Sequence, residues 1–252
     1  MVATNAAFGA PRKRGERQRT LDEARQASGR GGWRPGAGRK PTGTRVGPAH
    51  RRRVELDARH PLHVTLRATA AVGRLRKRHA YQAARAALMK QLGRDDFRVV
   101  HVSIQHNHVH LIVEAADRHA LARGVQGLCI AMSRRLNRRL GRTGAVFAHR
   151  YDARAITSPR QARHCVSYVI NNWRRHREDW RTPEARRAVV DPYSSAPQFD
   201  GWRDLSPEAA RASMPPAYEP LPTAHATTWL LTTGWRRHGE IGVSERPGPF
   251  DA

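Results

Sequence analysis

The chain has 252 residues, of which 46 are Lys or Arg and 21 are Asp or Glu, giving a formal net charge of +25 at pH 7. Charge of this size opposes compaction by self-repulsion unless a polyanion offsets it, which makes nucleic acid the natural partner. The sequence has no apolar run near the roughly 18 residues of a membrane span, no secretory signal at its start, and two cysteines, Cys129 and Cys165, too far apart to form a metal-type pair. These features predict a reduced, cytoplasmic protein without a membrane segment or disulfide framework.

Residues 1–55 form the first of three predicted regions, rich in Arg, Gly, Pro and Ala with few large apolar side chains. Such a segment cannot bury enough surface to offset the entropy of ordering, so a disordered basic tail is predicted. The stretch GRGGWRPGAGRKPTG, residues 29–43, loosely resembles an AT-hook, although the Arg-Gly-Arg-Pro core of that motif is absent. The alternative is a solvated tail with non-specific affinity for phosphate. In either case Arg39 and Lys40 are predicted to contact DNA.

Residues 56–180 show clear periodicities and are predicted to form the folded domain. Strands are predicted at residues 60–68, 97–104, 108–114 and 146–156, and helices at residues 76–92, 118–140 and 159 to about 177. Gly93 is expected to end the first helix, whereas Ser158 and Pro159 are typical of a helix start. The order β-α-β-β-α-β, followed by one more helix, predicts an α+β fold with a ferredoxin-like antiparallel sheet and helices on one face.

The second predicted helix combines an apolar stripe with a basic outer surface. Its last turns carry four arginines that are predicted to follow a DNA backbone: Arg134, Arg135, Arg138 and Arg139. Residues 181–252 are Pro-rich with scattered tryptophans and are predicted to form an accessory C-terminal region. A short helix and turn are expected within residues 226–239.

The stretch SIQHNHVHLIVEAAD, residues 103–117, places histidines at every second position: His106, His108 and His110. Because side chains alternate between the two faces of a strand, these imidazoles should share one face and the intervening apolar residues should pack against helices. One interpretation is a metal site, which needs a third ligand from elsewhere. The other is a row of polar residues on an exposed sheet face.

The last predicted helix offers a further ligand. Beside its apolar stripe, which should face the sheet, runs a polar stripe at a strict spacing of four: His164, Tyr168 and Asn172. Residues four apart lie one turn above another on the same helix face. The alternative interpretation is a solvated helix side, with the tyrosine at the edge of the core.

Together, the stretches HNHVHLIVE and SYVINNWRRH resemble the HUH single-strand DNA transferases. More specifically, they are similar to the single-tyrosine (Y1) transposases of the IS200 type and to the REP-associated tyrosine transposases. In that family an Asn-His-hydrophobic-His-Leu motif precedes the catalytic tyrosine by about 60 residues, and 60 residues separate His108 from Tyr168 here. The resemblance covers about residues 60–180 and implies the same fold as the order of elements.

The resemblance also implies a mechanism. Tyr168 would attack a phosphodiester of single-stranded or hairpin DNA, giving a 5′-phosphotyrosine and a free 3′-OH. His108, His110 and Asn172 would ligate a divalent metal, Mg or Mn, at a position where some relatives carry Gln instead of Asn. Tyr151 is a second, less favoured candidate nucleophile. Some relatives are homodimers that exchange the tyrosine helix, and others are monomers.

Two other classes of function stay open from the residues alone. One is a non-catalytic or domesticated nucleic-acid-binding protein, although an RNA-recognition module would need aromatic residues on the central strands. The other is a metal-dependent hydrolase that uses the histidine cluster His101, His106, His108 and His110. A hydrolase would act through metal-bound water and would leave no covalent protein–DNA adduct.

Overall fold

The computed structural model describes residues 56–250, and the fold below is that of this range. The strands are Leu62–Arg67 (β1), Phe97–Ile104 (β2), His108–Ala115 (β3) and Asp152–Ala155 (β4). They form one antiparallel sheet in the order β2-β3-β1-β4. This order places the first and third strands at the centre, as in a ferredoxin-like fold, and confirms the predicted α+β class.

Six α-helices accompany the sheet in the described range. They are Arg78–Met89 (α1), Arg118–Arg139 (α2), Pro159–Arg175 (α3), Pro183–Arg187 (α4), Pro207–Ala212 (α5) and Trp229–Thr232 (α6). Short 3-10 turns lie at Ala70–Val72, Glu178–Trp180, Ala196–Gln198 and Gly234–His238. The last of these turns follows α6, which confirms the short helix and turn predicted within residues 226–239.

Two elements are shorter than the sequence predicted. Helix α1 ends at Met89 rather than at Leu92, and its buried stripe stops at Leu88, since Met89 and Leu92 are both exposed. The fourth strand begins at Asp152 rather than at residue 146, and only Phe147 of the earlier stretch makes an isolated bridge, to Ala68. A short strand at the edge of a sheet is common, because a long exposed edge invites pairing with other chains.

One face of the sheet packs against α1 and α2. Alternate residues of the central strands, among them Val64, Leu111 and Val113, point into this first core. They meet buried residues of the two helices, including Leu88 and Val125. Both helices therefore cover the same face, as the sequence predicted.

The opposite face of the sheet is covered by α3. Its predicted apolar stripe is fully buried: Ala162, Cys165, Val166, Val169 and Trp173. These side chains pack with Val100 of β2 and Ile112 of β3, the residues that alternate with those of the first core. Ser158 caps the helix by accepting from Gln161 N at 3.2 Å, and Pro159 occupies its first turn, as expected.

The chain beyond α3 also contributes to this second core. Phe199, Trp202 and Trp235 are buried together with the apolar stripe of α3. Aromatic residues bury large areas, so they supply much of the apolar surface that holds α3 in place. The boundaries proposed for a separate accessory region stay a prediction.

The same part of the chain closes the outer edge of β2. Ser195 N donates to Val102 O at 2.8 Å, and Ile104 N donates to Tyr193 O at 2.8 Å. These bonds satisfy main-chain groups that would otherwise face solvent at the edge of the sheet.

An ion-pair network fixes the chain just after α3. Arg76 Nη2 lies 2.7 Å from Asp191 Oδ1, and its Nε lies 3.7 Å from Glu178 Oε2. Arg74 Nη2 approaches the same Glu178 oxygen at 2.5 Å. Buried carboxylates require such partners, because an isolated buried charge is very costly.

Within residues 56–250, no helix has the length and apolar character needed to cross a membrane.

Candidate active site

The histidine strand is only partly arranged as predicted. His108 and His110 lie on β3 and share the face covered by α3, and His110 is only 4% exposed. His106 lies in the turn between β2 and β3 and is exposed, so its predicted place on the same strand face is wrong. The reason is that the chain turns before His108: His106 O accepts from Leu75 N, and Asn107 O accepts from Ala68 N.

A histidine that the sequence analysis missed lies against this pair. His63 of β1 has its Nε2 3.0 Å from His110 Nδ1, and the two rings stack with centroids 5.0 Å apart. Thr65 Oγ1 of the same strand lies 3.3 Å from His110 Nδ1. The available signal was the alternation within HPLHVTLRA, which puts His63 and Thr65 on one face of β1.

Hydrogen bonds orient both strand histidines through Nδ1. His108 Nδ1 lies 2.8 Å from Asn107 Oδ1, which can only accept, so Nδ1 of His108 carries the proton. The Nε2 lone pair of His108 is then available to a ligand. His110 Nε2 is buried and has no hydrogen-bond partner within residues 56–250. A proton on His110 Nδ1, donated to Thr65 or His63, likewise leaves Nε2 as a donor atom for a metal.

Helix α3 brings its polar stripe to these imidazoles. The ring of Tyr168 meets the ring of His110 edge-on, with centroids 5.1 Å apart, and lies 5.7 Å from that of His63. Asn172 follows one turn later and is fully buried. Its amide oxygen and nitrogen both lack a hydrogen-bond partner in the described part of the chain. Buried amide atoms usually have a hydrogen-bond partner, so the Asn172 amide is available to a bound ligand or water.

A further histidine follows at the end of α3. His176 caps the helix four residues after Asn172, and its ring centroid lies 5.7 Å from that of His108. The spacing of four continues the stripe of His164, Tyr168 and Asn172, and this was the signal that could have found it. His164, at the other end of the stripe, contacts Phe250 instead, with centroids 5.7 Å apart.

Burial keeps the clustered imidazoles neutral. It lowers the pKa of His63 and of His108 to about 4, with neighbouring positive groups adding to the effect at His108. Burial also holds the pKa of His110 well below its ordinary value, and His108 and His63 act in the same direction. Neutral imidazole is the form that ligates metals, so these residues are ready to bind one at neutral pH.

The donor atoms fit a divalent cation. Within residues 56–250, no three His, Cys, Asp or Glu residues are placed to hold a metal by themselves. A site built on His108 and His110 would take its third ligand from another residue type, and the amide oxygen of Asn172 is buried and has no partner in the described range. Two imidazole nitrogens and one amide oxygen form a mixed set suited to Mn or Mg, with nitrogen ligands favouring Mn.

The other candidate residues lie elsewhere. Tyr151 packs against the first core, whereas Tyr168 packs against the second. His101, one of the four histidines of the hydrolase hypothesis, lies 3.3 Å from Ser195 Oγ through its Nδ1 and contacts Phe199. Since His106 is in an exposed turn, that set of four histidines is not assembled.

The predicted DNA-contacting arginines lie near the end of α2. Arg134, Arg138 and Arg139 are exposed, whereas Arg135 is partly buried and donates to Ala131 O at 3.3 Å. Their contact with DNA stays a prediction. Arg39 and Lys40, with the rest of residues 1–55, lie outside the described residues.

His101 allows a prediction about pH and stability. Burial lowers its pKa from 6.5 to about 4, so between these values the unfolded chain binds a proton that the folded chain does not. The contribution of His101 to the free energy of unfolding is therefore fully present above pH 6.5 and is lost as the pH falls to about 4, at about 1.4 kcal/mol per pH unit. We expect His101→Asn to remove about 2 kcal/mol of the loss between pH 7 and pH 5. Urea denaturation of both proteins at several pH values measures this, and parallel stability curves would contradict it.

Comparison with known proteins supports the resemblance drawn from the motifs. The family model described as "Transposase IS200 like" matches residues 59–172, which include His108, His110, Tyr168 and Asn172. The search of curated proteins gave no match. Among solved structures, one described as "Structure of the REP associates tyrosine transposase bound to a REP hairpin" is similar at 17% identity. The alignment covers 72% of this chain and 96% of that chain, with a TM-score of 0.45.

Proposed function

We propose that this protein is a single-tyrosine DNA transposase, an endonuclease and strand transferase that acts through a covalent intermediate. The observation that carries the proposal is the contact of Tyr168 with His110, whose ring centroids lie 5.1 Å apart. The ring of His108 lies 4.5 Å from that of His110, and Asn172 follows Tyr168 one turn later on α3. All four residues fall within the range that matches the IS200-like transposase family model.

The proposed substrate is single-stranded or hairpin DNA. Transposition is a reaction of DNA, and the formal charge of +25 favours a polyanionic partner. The exposed arginines at the end of α2 are proposed to contact the phosphate backbone near the site. Such contacts give position and affinity rather than sequence specificity.

In the proposed reaction the Oη atom of Tyr168 attacks the phosphorus of a phosphodiester. The new bond joins Oη to phosphorus, and the bond from phosphorus to the 3′-oxygen breaks. The phenol proton is lost and the 3′-oxygen gains a proton, so the products are a 5′-phosphotyrosine and a free 3′-OH. No water is consumed, and the intermediate therefore retains a phosphodiester that a second 3′-OH can attack in strand transfer.

A bound divalent metal would polarise the phosphoryl oxygens and orient the scissile phosphate. His108, His110 and Asn172 are proposed to hold it, the histidines through Nε2 and the amide through its oxygen. Asn107 fixes the tautomer of His108, whereas Thr65 and His63 orient His110. Such outer partners commonly contribute to metal affinity, because they fix the ring and raise its basicity.

The proposal is tested by looking for the covalent intermediate. The full chain is mixed with labelled single-stranded and hairpin DNA, with Mn or with a chelator, and separated on a denaturing gel. A metal-dependent band of protein-linked DNA is the expected result. Cleaved DNA without such a band would indicate the hydrolase instead, and binding without cleavage across many hairpins would indicate a non-catalytic DNA-binding protein.

A further inference from the structure

The chain that leaves the proposed active site carries an unusually exposed tryptophan. Trp180 lies in the segment Arg175–Arg187, here called the post-helix segment, and is 61% exposed. It is the most exposed large apolar side chain in the described range. Tryptophan usually buries most of its area, so a solvent-facing indole on a rigid turn suggests a surface that binds something flat.

In the post-helix segment, two acidic residues are buried and most of the exposed charged residues are basic. Its acidic residues Glu178 and Asp179 turn inward, where Glu178 pairs with Arg74 and Asp179 Oδ2 lies 3.4 Å from Arg174 Nη1. Its exposed charged residues are basic apart from Glu184, and one of them, Arg181, also pairs with Glu178: Arg175, Arg177, Arg181, Arg186 and Arg187. The surface around Trp180 is therefore positive, although the sequence of the segment is mixed.

The turn that presents Trp180 is held in place. Arg177 has φ of 53°, a left-handed conformation that is strained for a residue other than glycine. Such strain persists only where surrounding contacts fix it, and the buried ion pairs of Glu178 supply those contacts. Arg186 Nε also donates to Trp180 O at 3.1 Å. These contacts fix the backbone of the turn that carries the indole.

The post-helix segment begins beside the histidines of the proposed active site. His176, four residues before Trp180, lies against the ring of His108. A second exposed tryptophan, Trp229, is 47% exposed but lines a cleft with Thr157 and Pro159, at the start of α3. The two tryptophans are therefore at opposite ends of a helix of 17 residues, roughly 25 Å long.

We propose that the post-helix segment binds the unpaired DNA strand beside the cleaved phosphate, with Trp180 stacked on a base and the arginines against the backbone. This inference rests on the proposed function and adds a subsite to it. Proteins bind single strands in this way, combining aromatic platforms with a basic path, and stacking tolerates any base sequence. A duplex hides its base faces, so the subsite selects single-stranded over paired DNA.

The test compares two labelled DNAs in chelator, which prevents cleavage. One is a hairpin with a mixed-sequence single-stranded extension, and the other is the same hairpin with a blunt end. We expect Trp180→Ala to weaken binding of the extended hairpin about tenfold and to leave the blunt hairpin unchanged. Trp180→Phe should retain most of the affinity, because it keeps an aromatic face. The matched control, Trp229→Ala, should bind both DNAs as the unchanged protein does.

Three results would overturn the inference. Unchanged affinity of Trp180→Ala for the extended hairpin would remove the stacking role. An equal loss on both hairpins, or an equal loss in Trp229→Ala, would show that the tryptophan acts through general structure. If any of these results is obtained while the covalent adduct still forms normally, the proposed function is retained and only the proposed subsite is rejected. Failure to bind any DNA or to form any adduct would reject both.

Discussion

Replacing Tyr168 with Phe is expected to lower formation of the covalent protein–DNA adduct by roughly a thousandfold or more. Phenylalanine keeps the ring but lacks the oxygen that attacks phosphorus. The ring contacts with His110, at 5.1 Å, and with Phe250, at 6.0 Å, need no hydroxyl and should persist. DNA binding should therefore stay within about twofold, since stacking and charge are unchanged. A denaturing gel measures the adduct, and fluorescence anisotropy measures binding.

Tyr151→Phe is the matched control for this experiment. Tyr151 packs against the first core, on the other side of the sheet from the core that Tyr168 joins, so its variant should form the adduct normally. An adduct that survives in Tyr168→Phe would show that another residue is the nucleophile. If the adduct is lost in Tyr151→Phe but kept in Tyr168→Phe, the roles of the two tyrosines must be exchanged.

Replacing His110 with Asn is expected to lower Mn affinity and metal-dependent cleavage, each on the order of a hundredfold or more. The shorter side chain cannot present a nitrogen where His110 Nε2 lies, and this buried Nε2 has no hydrogen-bond partner in the described range. Calorimetric titration with Mn reports the affinity without requiring any activity. Adduct formation at saturating and limiting Mn then separates lost binding from lost catalysis.

His106→Asn is the control for that variant. His106 is only four residues away on the chain but lies in an exposed turn, so the same chemical change should leave Mn binding intact. Mn affinity unchanged in His110→Asn would contradict the proposed metal site. Thermal unfolding of both variants identifies any effect that comes from lost stability rather than a lost ligand.

The order of elements along the chain and the buried faces of the helices could be predicted from the sequence because both follow from local periodicity. The apolar stripe of α3, for example, repeats at three and four residues, and every predicted member is buried. The lengths of β4 and α1 could not be predicted in this way. They depend on where packing ends, as at Leu92, and an apolar side chain does not reveal this by itself.

The sequence revealed the histidine motif of β3 and the polar stripe of α3, which belong to the candidate site. It did not reveal the residues of other elements that contact them. His63 reaches His110 only because β1 pairs with β3, a contact across 47 positions of sequence. The chain after α3 is harder still, since its helices are short and depend on distant partners. Glu114 of β3 accepts from both Thr227 and Thr228 just before α6, and no local pattern predicts that contact.

Helix α3 is held by contacts with residues that lie much later in the chain. Asn171 Nδ2 donates to Gly242 O, 71 residues further along the chain, and Arg163 pairs with Glu245. A growing polypeptide therefore contains Tyr168 and all its partner histidines long before the contacts that seat their helix exist. Domains fold as units when their interacting parts have emerged. The proposed strand-cutting centre would thus stay unassembled on the ribosome, and a prematurely terminated chain would release no active nuclease into the cell.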